Sequence, residues 1–320
     1  MSELNAPRPD SLETYATYAP WEAYQRPYVR DLAYVLACPN VLTQWLDVTP
    51  HQNTHAISVH SAHFWQQQFE GYQQRLKELD TTNAYQALTR YLLKRPSPNR
   101  LGFHFEGLLS FWLKDGFARR LHPYETLANN VQLFNGKQTT GELDLILYNH
   151  AENLVEHWEL AIKFFMGSAP FAPENWVGIN SNDNLQRKMT HMQTKQFCTV
   201  WIDTENHGQV SIDKRYGVIK GRFFLPINTK GFDYPTWLTP SFPMHKWCDK
   251  YDKLNLAKIN IDTLRAAHYI EWFSKRDFYD DRQSPIINSE NGILKTGLYF
   301  AGDRPIVIYP KLRDGAGDKF

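Results

Sequence analysis

At 320 residues, with 35 Lys and Arg set against 34 Asp and Glu and a net charge of +1, the chain can bury a large core, and its balanced charge excludes a general electrostatic grip on a polyanion. Any nucleic-acid contact must therefore gather basic residues on one face. Three widely spaced cysteines, Cys38, Cys198 and Cys248, offer neither a disulfide framework nor a CxxC metal site. No run reaches the roughly 18 apolar residues of a membrane span, and the first residues lack a secretory pattern. The expectation is a soluble, cytoplasmic protein with no membrane partner. Aromatic residues, 14% of the chain, exceed what a minimal core needs and predict that some rings line a groove.

In chain order, a polar, proline-bearing leader of about 20 residues precedes helical patterns. Residues 29–36 repeat apolar side chains at three and four until Pro39 stops them. Residues 61–79, with Phe64, Phe69, Tyr72 and Leu76, and residues 84–93 continue in the same manner. A turn-rich link at 94–99 closes a helical N-terminal region, 1–95. Within that region His51, His55, His60 and His63 crowd together, and the first two have the i, i+4 spacing of helical zinc ligands. Residues 57–60 alternate like a strand, however, and no cysteine or carboxylate completes a ligand set, so these read as surface histidines.

The second region, 96–230, reads as helix, three strands, loop, helix and strand. Its first helix carries an apolar stripe of Leu101, Phe105, Leu108 and Trp112, with Glu106 on the shoulder. Two apolar runs with embedded charges follow, Gly141-Glu142-Leu143-Asp144-Leu145-Ile146-Leu147 and His157-Trp158-Glu159-Leu160-Ala161-Ile162-Lys163-Phe164-Phe165. A polar hairpin loop at 149–153 joins them. Residues 167–178 read as a loop over the site, with Trp176 as a lid or stacking residue. Asn182-Asp183 then caps a helix carrying Leu185, Met189, Met192 and Gln196, on which Arg187, Lys188 and Lys195 are placed to touch phosphates. Residues 216–224 return as a strand. In the C-terminal extension, 231–320, residues 237–248 are extended, Asp262 caps a helix to about Phe273, and 304–310 form a strand whose flanking prolines favour a sheet edge. The fold class is α/β, a mixed sheet flanked by helices.

The embedded charges carry the chemistry. Strand side chains alternate faces, so Glu142 and Asp144 share one face, and Glu159, Ala161 and Lys163 share one face of the next strand. Buried charges are costly unless paired or bound to metal. Asp144 and Lys163 could form a structural ion pair between strands; alternatively, the acids converge on a divalent cation. Magnesium needs only one or two carboxylates beside its waters.

The order Gly-Glu-x-Asp, a turn, then an acid and a lysine resembles the core of the PD-(D/E)XK nuclease superfamily. The resemblance implies a restriction-endonuclease-like core, Asp144 and Glu159 as metal ligands, Lys163 as the residue that positions the attacking water, and Glu106 as the helical acid completing the site. The Leu-Gly-x-x-Phe-Glu helix, Gly-Glu-Leu-Asp, His-Trp-Glu-Leu-Ala-x-Lys-Phe, Trp176-Val177-Gly178 and Gly221-x-Phe223-Phe224 before Pro226 are similar to the bacterial Domain of Unknown Function 1853 family, over roughly residues 28–310. That family is counted within the superfamily.

In the usual D/E-x-K triplet the acid stands two before the lysine, and here that residue is Ala161. Glu159 leaning forward, Glu142 or Glu106 could supply the missing oxygen. The resemblance implies a nuclease using Mg2+ or Mn2+, with nucleic acid as partner, DNA ahead of RNA. The alternative is a degenerate member that binds nucleic acid or protein without cutting. A basic interval from Arg187 to Arg222 and a second cluster, Arg90, Lys94, Arg95 and Arg100, flank the site in sequence. No GxGxxG, Walker loop or Gly-x-Ser-x-Gly elbow supports a nucleotide-cofactor or serine-hydrolase reading.

Overall fold

The computed structural model describes residues 19–48, 55–97, 100–135, 138–180, 182–240, 242–259, 264–275, 289–290 and 293–310. The leader, His51, Pro98, Asn99 and Asp262, on which expectations rested, lie outside these residues.

Four helices form the N-terminal layer. Helix α1 (Pro27–Ala37) starts on a proline, whose fixed φ suits the first helical position, and ends as the chain turns extended before Pro39. Helix α2 (Ala62–Thr81) is capped by Ser61, whose Oγ accepts the Phe64 amide at 3.1 Å. It buries Trp65, Phe69, Tyr72, Leu76 and Leu79, a stripe at three and four. Helix α3 (Tyr85–Leu93) leads to α4 (Leu101–Ala118), which is apolar on most sides and correspondingly enclosed.

The strands are β1 (Tyr124–Asn135), β2 (Gln138–Asn149), β3 (Leu154–Gly167), β4 (Trp176–Gly178), β5 (Trp201–Thr204), β6 (Gly208–Ser211), β7 (Lys214–Pro226), β8 (Met244–Asp249), β9 (Leu264–Ala266), β10 (Ser289–Glu290), β11 (Ile293–Leu294), β12 (Gly297–Ala301) and β13 (Arg304–Tyr309). Nine of them make one mixed sheet in the order β1-β2-β3-β7-β8-β13-β12-β9, with β4 also paired to β3. β5–β6 and β10–β11 are separate two-stranded pairs. The centre, β3-β7-β8-β13, is parallel. This is the expected mixed α/β sheet with helices against it. One apolar cluster joins α1, α2 and α4 to β2, β3 and β7, so the N-terminal helices are one lid of the central core.

At Gly221 in β7, φ is +139° and an added Cβ would lie 1.7 Å from the Lys163 carbonyl oxygen, so only glycine lets β7 pass β3 at that rung.

Three local expectations are corrected. Strand β13 lies inside the sheet, between β8 and β12, rather than at an edge. Its pairing with β8 begins at Ile306, one residue after Pro305, so the proline's missing N–H costs no ladder bond there. Among the described residues of 262–273, Leu264–Ala266 are a strand because they pair with β12, and Tyr269–Trp272 are a 3-10 turn whose Glu271 accepts from Arg265 at 2.8 and 2.7 Å. Helix α5 (Leu185–His191) is capped by Asn184, whose Oδ1 accepts the Arg187 amide at 2.8 Å, not by Asn182 or Asp183.

Candidate functional site

The β2–β3 ladder runs from Asn149 opposite Leu154 to Leu145 opposite Trp158, and then it stops. The next rung would set Asp144 opposite Glu159. There the side chains replace the backbone bonds: Asp144 Oδ2 accepts the Leu160 N–H at 2.7 Å, and Glu159 Oε1 accepts the Asp144 N–H at 3.3 Å. Beyond this point β3 stays paired with β7 as far as Met166, but on its other side it gains β4 only at Phe165. The sheet therefore opens between β2 and β3 where the two acids stand.

Two carboxylates facing each other across strands repel. Burial first, and then the charge of Glu159, push the Asp144 carboxyl well above its usual range. Burial likewise raises Glu159, with Lys188 the strongest opposing charge. Glu159 is 0% exposed. Its Oε1 also lies 2.7 Å from His157 Nε2, and its Oε2 accepts from Gln196. Burial lowers the pKa of His157 to about 3, so the ring is neutral where its Nε2 shares a hydrogen bond with Glu159. His157 Nδ1 and Gln196 Oε1 are buried polar atoms without a hydrogen-bond partner.

Glu106 reaches the same region from α4. Burial, then the negative charge of Asp144, push it up to about 7, while Arg95 at 3.6 Å and Asn130 at 3.5 Å pull the other way. Asn130 Nδ2 also donates to Glu142 Oε1 at 2.8 Å. Asn130 has φ of +50°, a left-handed residue within β1 that turns its amide between the two glutamates. Glu106, Asp144 and Glu159 thus share one electrostatic neighbourhood, and Glu142 stands at its margin.

The lysines divide differently from expectation. Lys163 Nζ is held 2.5 Å from Asp183 Oδ2. Lys188 is the cation that feels the acids: burial lowers its pKa, the charges of Glu159, Asp144 and Asp183 raise it, and Lys163 lowers it further. It belongs to this site rather than to an outward phosphate-binding face. A signal was present in the sequence, because Leu185, Lys188, Met189 and Met192 have the i, i+3, i+4, i+7 spacing of one helical face. Leu185, Met189 and Met192 are all buried. The helix then passes into a π-turn at Met192–Gln196, which carries Gln196 to Glu159.

Other expected binding residues are not gathered here. Trp176 is 0% exposed, donates Nε1–H to the Phe171 carbonyl at 3.2 Å, and packs on Phe223 in the core, so it is neither lid nor stacking platform. In the basic interval, buried Lys220 donates to the Cys38 carbonyl and lies 3.5 Å from the Trp65 ring centroid. Arg215 holds the Phe197 and Thr199 carbonyls at 3.0 and 2.6 Å, and Arg222 holds that of Phe273 at 2.6 Å. These cations satisfy backbone acceptors. Arg187 and Lys195 are exposed, with Arg187 reaching the Asn182 carbonyl at 2.6 Å. Of the histidines, His60 is buried between Phe64 and Tyr216, with centroids 4.0 and 4.1 Å away, which corrects its surface assignment.

Among the described residues no three His, Cys, Asp or Glu side chains are arranged to hold a metal. Asp144 and Glu159 alone form a hard, all-oxygen, mutually repelling pair, a donor set that suits magnesium or manganese completed by waters.

No helix among the described residues is long and apolar enough to cross a membrane. No curated protein and no solved structure matches the chain. The model of a family described as Domain of unknown function (DUF1853) matches residues 30–290. With that match spanning most of its length, and the paired acids and their flanking motifs inside it, the chain belongs to the DUF1853 family.

Proposed function

We propose that the protein is a metal-dependent phosphodiester hydrolase of the PD-(D/E)XK kind, acting on nucleic acid in the cytoplasm, with DNA ahead of RNA. One observation carries the reading: two carboxylates are held opposite each other where the sheet parts, Glu159 buried and Asp144 partly so. Such a pair is costly as structure alone, and a divalent cation would relieve it. Asp144 and Glu159 would hold Mg2+ or Mn2+, with Glu106 nearby, and the ion would polarise a phosphate and acidify a bound water.

The chain's own residues have distinct parts in this scheme. His157 and Gln196 fix the orientation of Glu159. Glu106, pushed up to about 7, can hold or release a proton near neutrality. Lys188 supplies positive charge beside the acids, the part expected of Lys163, which is engaged by Asp183.

A second reading, a non-cutting member of the fold, is favoured by a specific observation. Both Glu159 oxygens already accept hydrogen bonds, and Ala161 replaces the acid nearest Lys163.

Thermal unfolding with and without Mg2+ or Mn2+, run beside cleavage of single-stranded, duplex and branched DNA and RNA, tests the choice. The hydrolase reading expects the ions to raise Tm and support cleavage in the wild type, and Asp144→Asn to lose both. Cleavage that survives unchanged in Asp144→Asn, or no response to either ion, would sink it.

A further inference from the structure

A cavity of about 540 Å3 lies further along β3 than the carboxylate pair, between the open edge of that strand and the C-terminal strands, and neither acid of the pair lines it. Its volume is within the roughly 300–1,000 Å3 of small-molecule sites. Two kinds of wall meet there. One is aromatic and aliphatic: Trp272 packs edge-on against Phe164 with centroids 4.8 Å apart, and the Tyr269 ring is 51% exposed while its hydroxyl is tied to the Leu101 amide at 3.3 Å. The other is polar, with Lys163, Lys295, Asn180 and Asp183.

A purely apolar ligand would leave these charges dehydrated without compensation, and a bare anion would make no use of the rings. A nucleotide uses both walls, because its base stacks on aromatic faces and its phosphate takes ammonium donors. Lys163 has three donors and gives only one to Asp183, so two remain for phosphate oxygens. Asn180 and Asp183 offer hydrogen-bonding groups for a base edge. Lys163 also lies on the strand that carries Glu159, four residues or roughly 13 Å further along, so one polymer could occupy both places.

We propose that this cavity binds a single nucleotide unit of a nucleic-acid strand, base against Trp272 and Tyr269 and phosphate at Lys163 and Lys295. The proposal rests on the hydrolase reading for its choice of a nucleotide among aromatic anions. Gly297 lines the cavity and a Cβ there meets no atom within 4 Å, so Gly297→Trp is the substitution chosen to place bulk in it.

The test is calorimetric titration with dAMP, deoxyadenosine and ribose 5-phosphate, with circular dichroism to verify folding of each variant. Binding of dAMP at least about tenfold tighter than either fragment, a loss of about tenfold or more in Gly297→Trp, a several-fold loss in Lys295→Ala, and retention in Asp144→Asn are expected. No dAMP binding, or equal binding in folded Gly297→Trp, overturns the proposal. The two readings fail separately. Binding of dAMP by a chain that cleaves nothing supports the cavity and removes the hydrolase, whereas cleavage that Gly297→Trp leaves intact, with no dAMP binding, removes the cavity and keeps the hydrolase.

Discussion

Asp115 and Asp144 are both partly shielded from water, yet their surroundings are opposite. Asp115, near the end of α4, receives Arg75 Nε and a second guanidinium nitrogen at 3.0 and 2.9 Å and the Tyr72 hydroxyl at 2.6 Å. Burial, the largest single influence, pushes its carboxyl up, but these bonds outweigh it and the group ends below its usual 3.8. Asp144 has one backbone amide and, across the strand, the Glu159 carboxyl to which it hydrogen-bonds, and burial with that neighbour's charge holds it well above its usual range. The same side chain is thus neutralised in one place and left in conflict in the other. An acid held by a cation and an acid held against another acid are different uses of burial, and the second is the arrangement on which the proposed metal site rests.

The largest expected effect comes from breaking the satisfied site. Arg75→Met leaves Asp115 with only the Tyr72 hydroxyl and the more exposed Arg119 at 3.2 Å, and the loss should be about 3 kcal/mol in urea unfolding, the lower end for a buried pair because Asp115 retains some exposure and a second cation. A loss under about 1 kcal/mol would mean that Asp115 relaxes to water and that the contrast is not real.

Next comes pH, where the two sites have opposite signs. Asp115 binds protons less readily when folded, so its contribution is present above pH 3.8 and is lost as pH falls through its lowered value. Asp144, Glu159 and Glu106 bind protons more readily when folded. Their contribution is therefore full below the unfolded carboxylate range and is lost as pH rises, up to about 7 for Glu106 and through the raised range of the pair. Asp144→Asn should flatten that upper limb and raise stability at pH 8 by about 1–2 kcal/mol, since one shifted unit corresponds to about 1.4 kcal/mol. Denaturant unfolding from pH 4 to 9 measures both limbs. An upper limb unchanged in Asp144→Asn would show that the acids do not repel.

The smallest effect sharpens the distinction between the two lysines. Lys163 and Asp183 are partly exposed, with side chains 24% and 34% accessible. Lys163→Ala should therefore cost no more than about 1 kcal/mol, while Lys188→Met should steepen the loss of stability above neutral pH by removing the charge that most opposes the rise of Glu159. Equal pH profiles for the two variants would return the site cation to Lys163.

Much of the scaffold was legible without coordinates. The apolar stripes of α2 and α4, the hairpin at 149–153 and the placement of Glu142 and Asp144 on one face follow from spacings of 3.6 and 2 that local geometry imposes. The interior position of β13 was not legible, because a proline one residue before the pairing starts looks the same in sequence as one that forbids pairing. Nor was the burial of Trp176, since a Gly- and Pro-rich neighbourhood does not show that Phe223 and Trp237 close over the ring.

What the amino-acid order determined by itself was which residues share a strand face or a helix face, including the easily overlooked position of Lys188 among Leu185, Met189 and Met192. Periodicity is a property of the backbone and needs no partner. Only the tertiary structure decided where β2 and β3 part, which lysine faces the acids, and which arginines are spent on carbonyls. Those outcomes depend on what packs opposite each face, and segments far apart in the chain supply it.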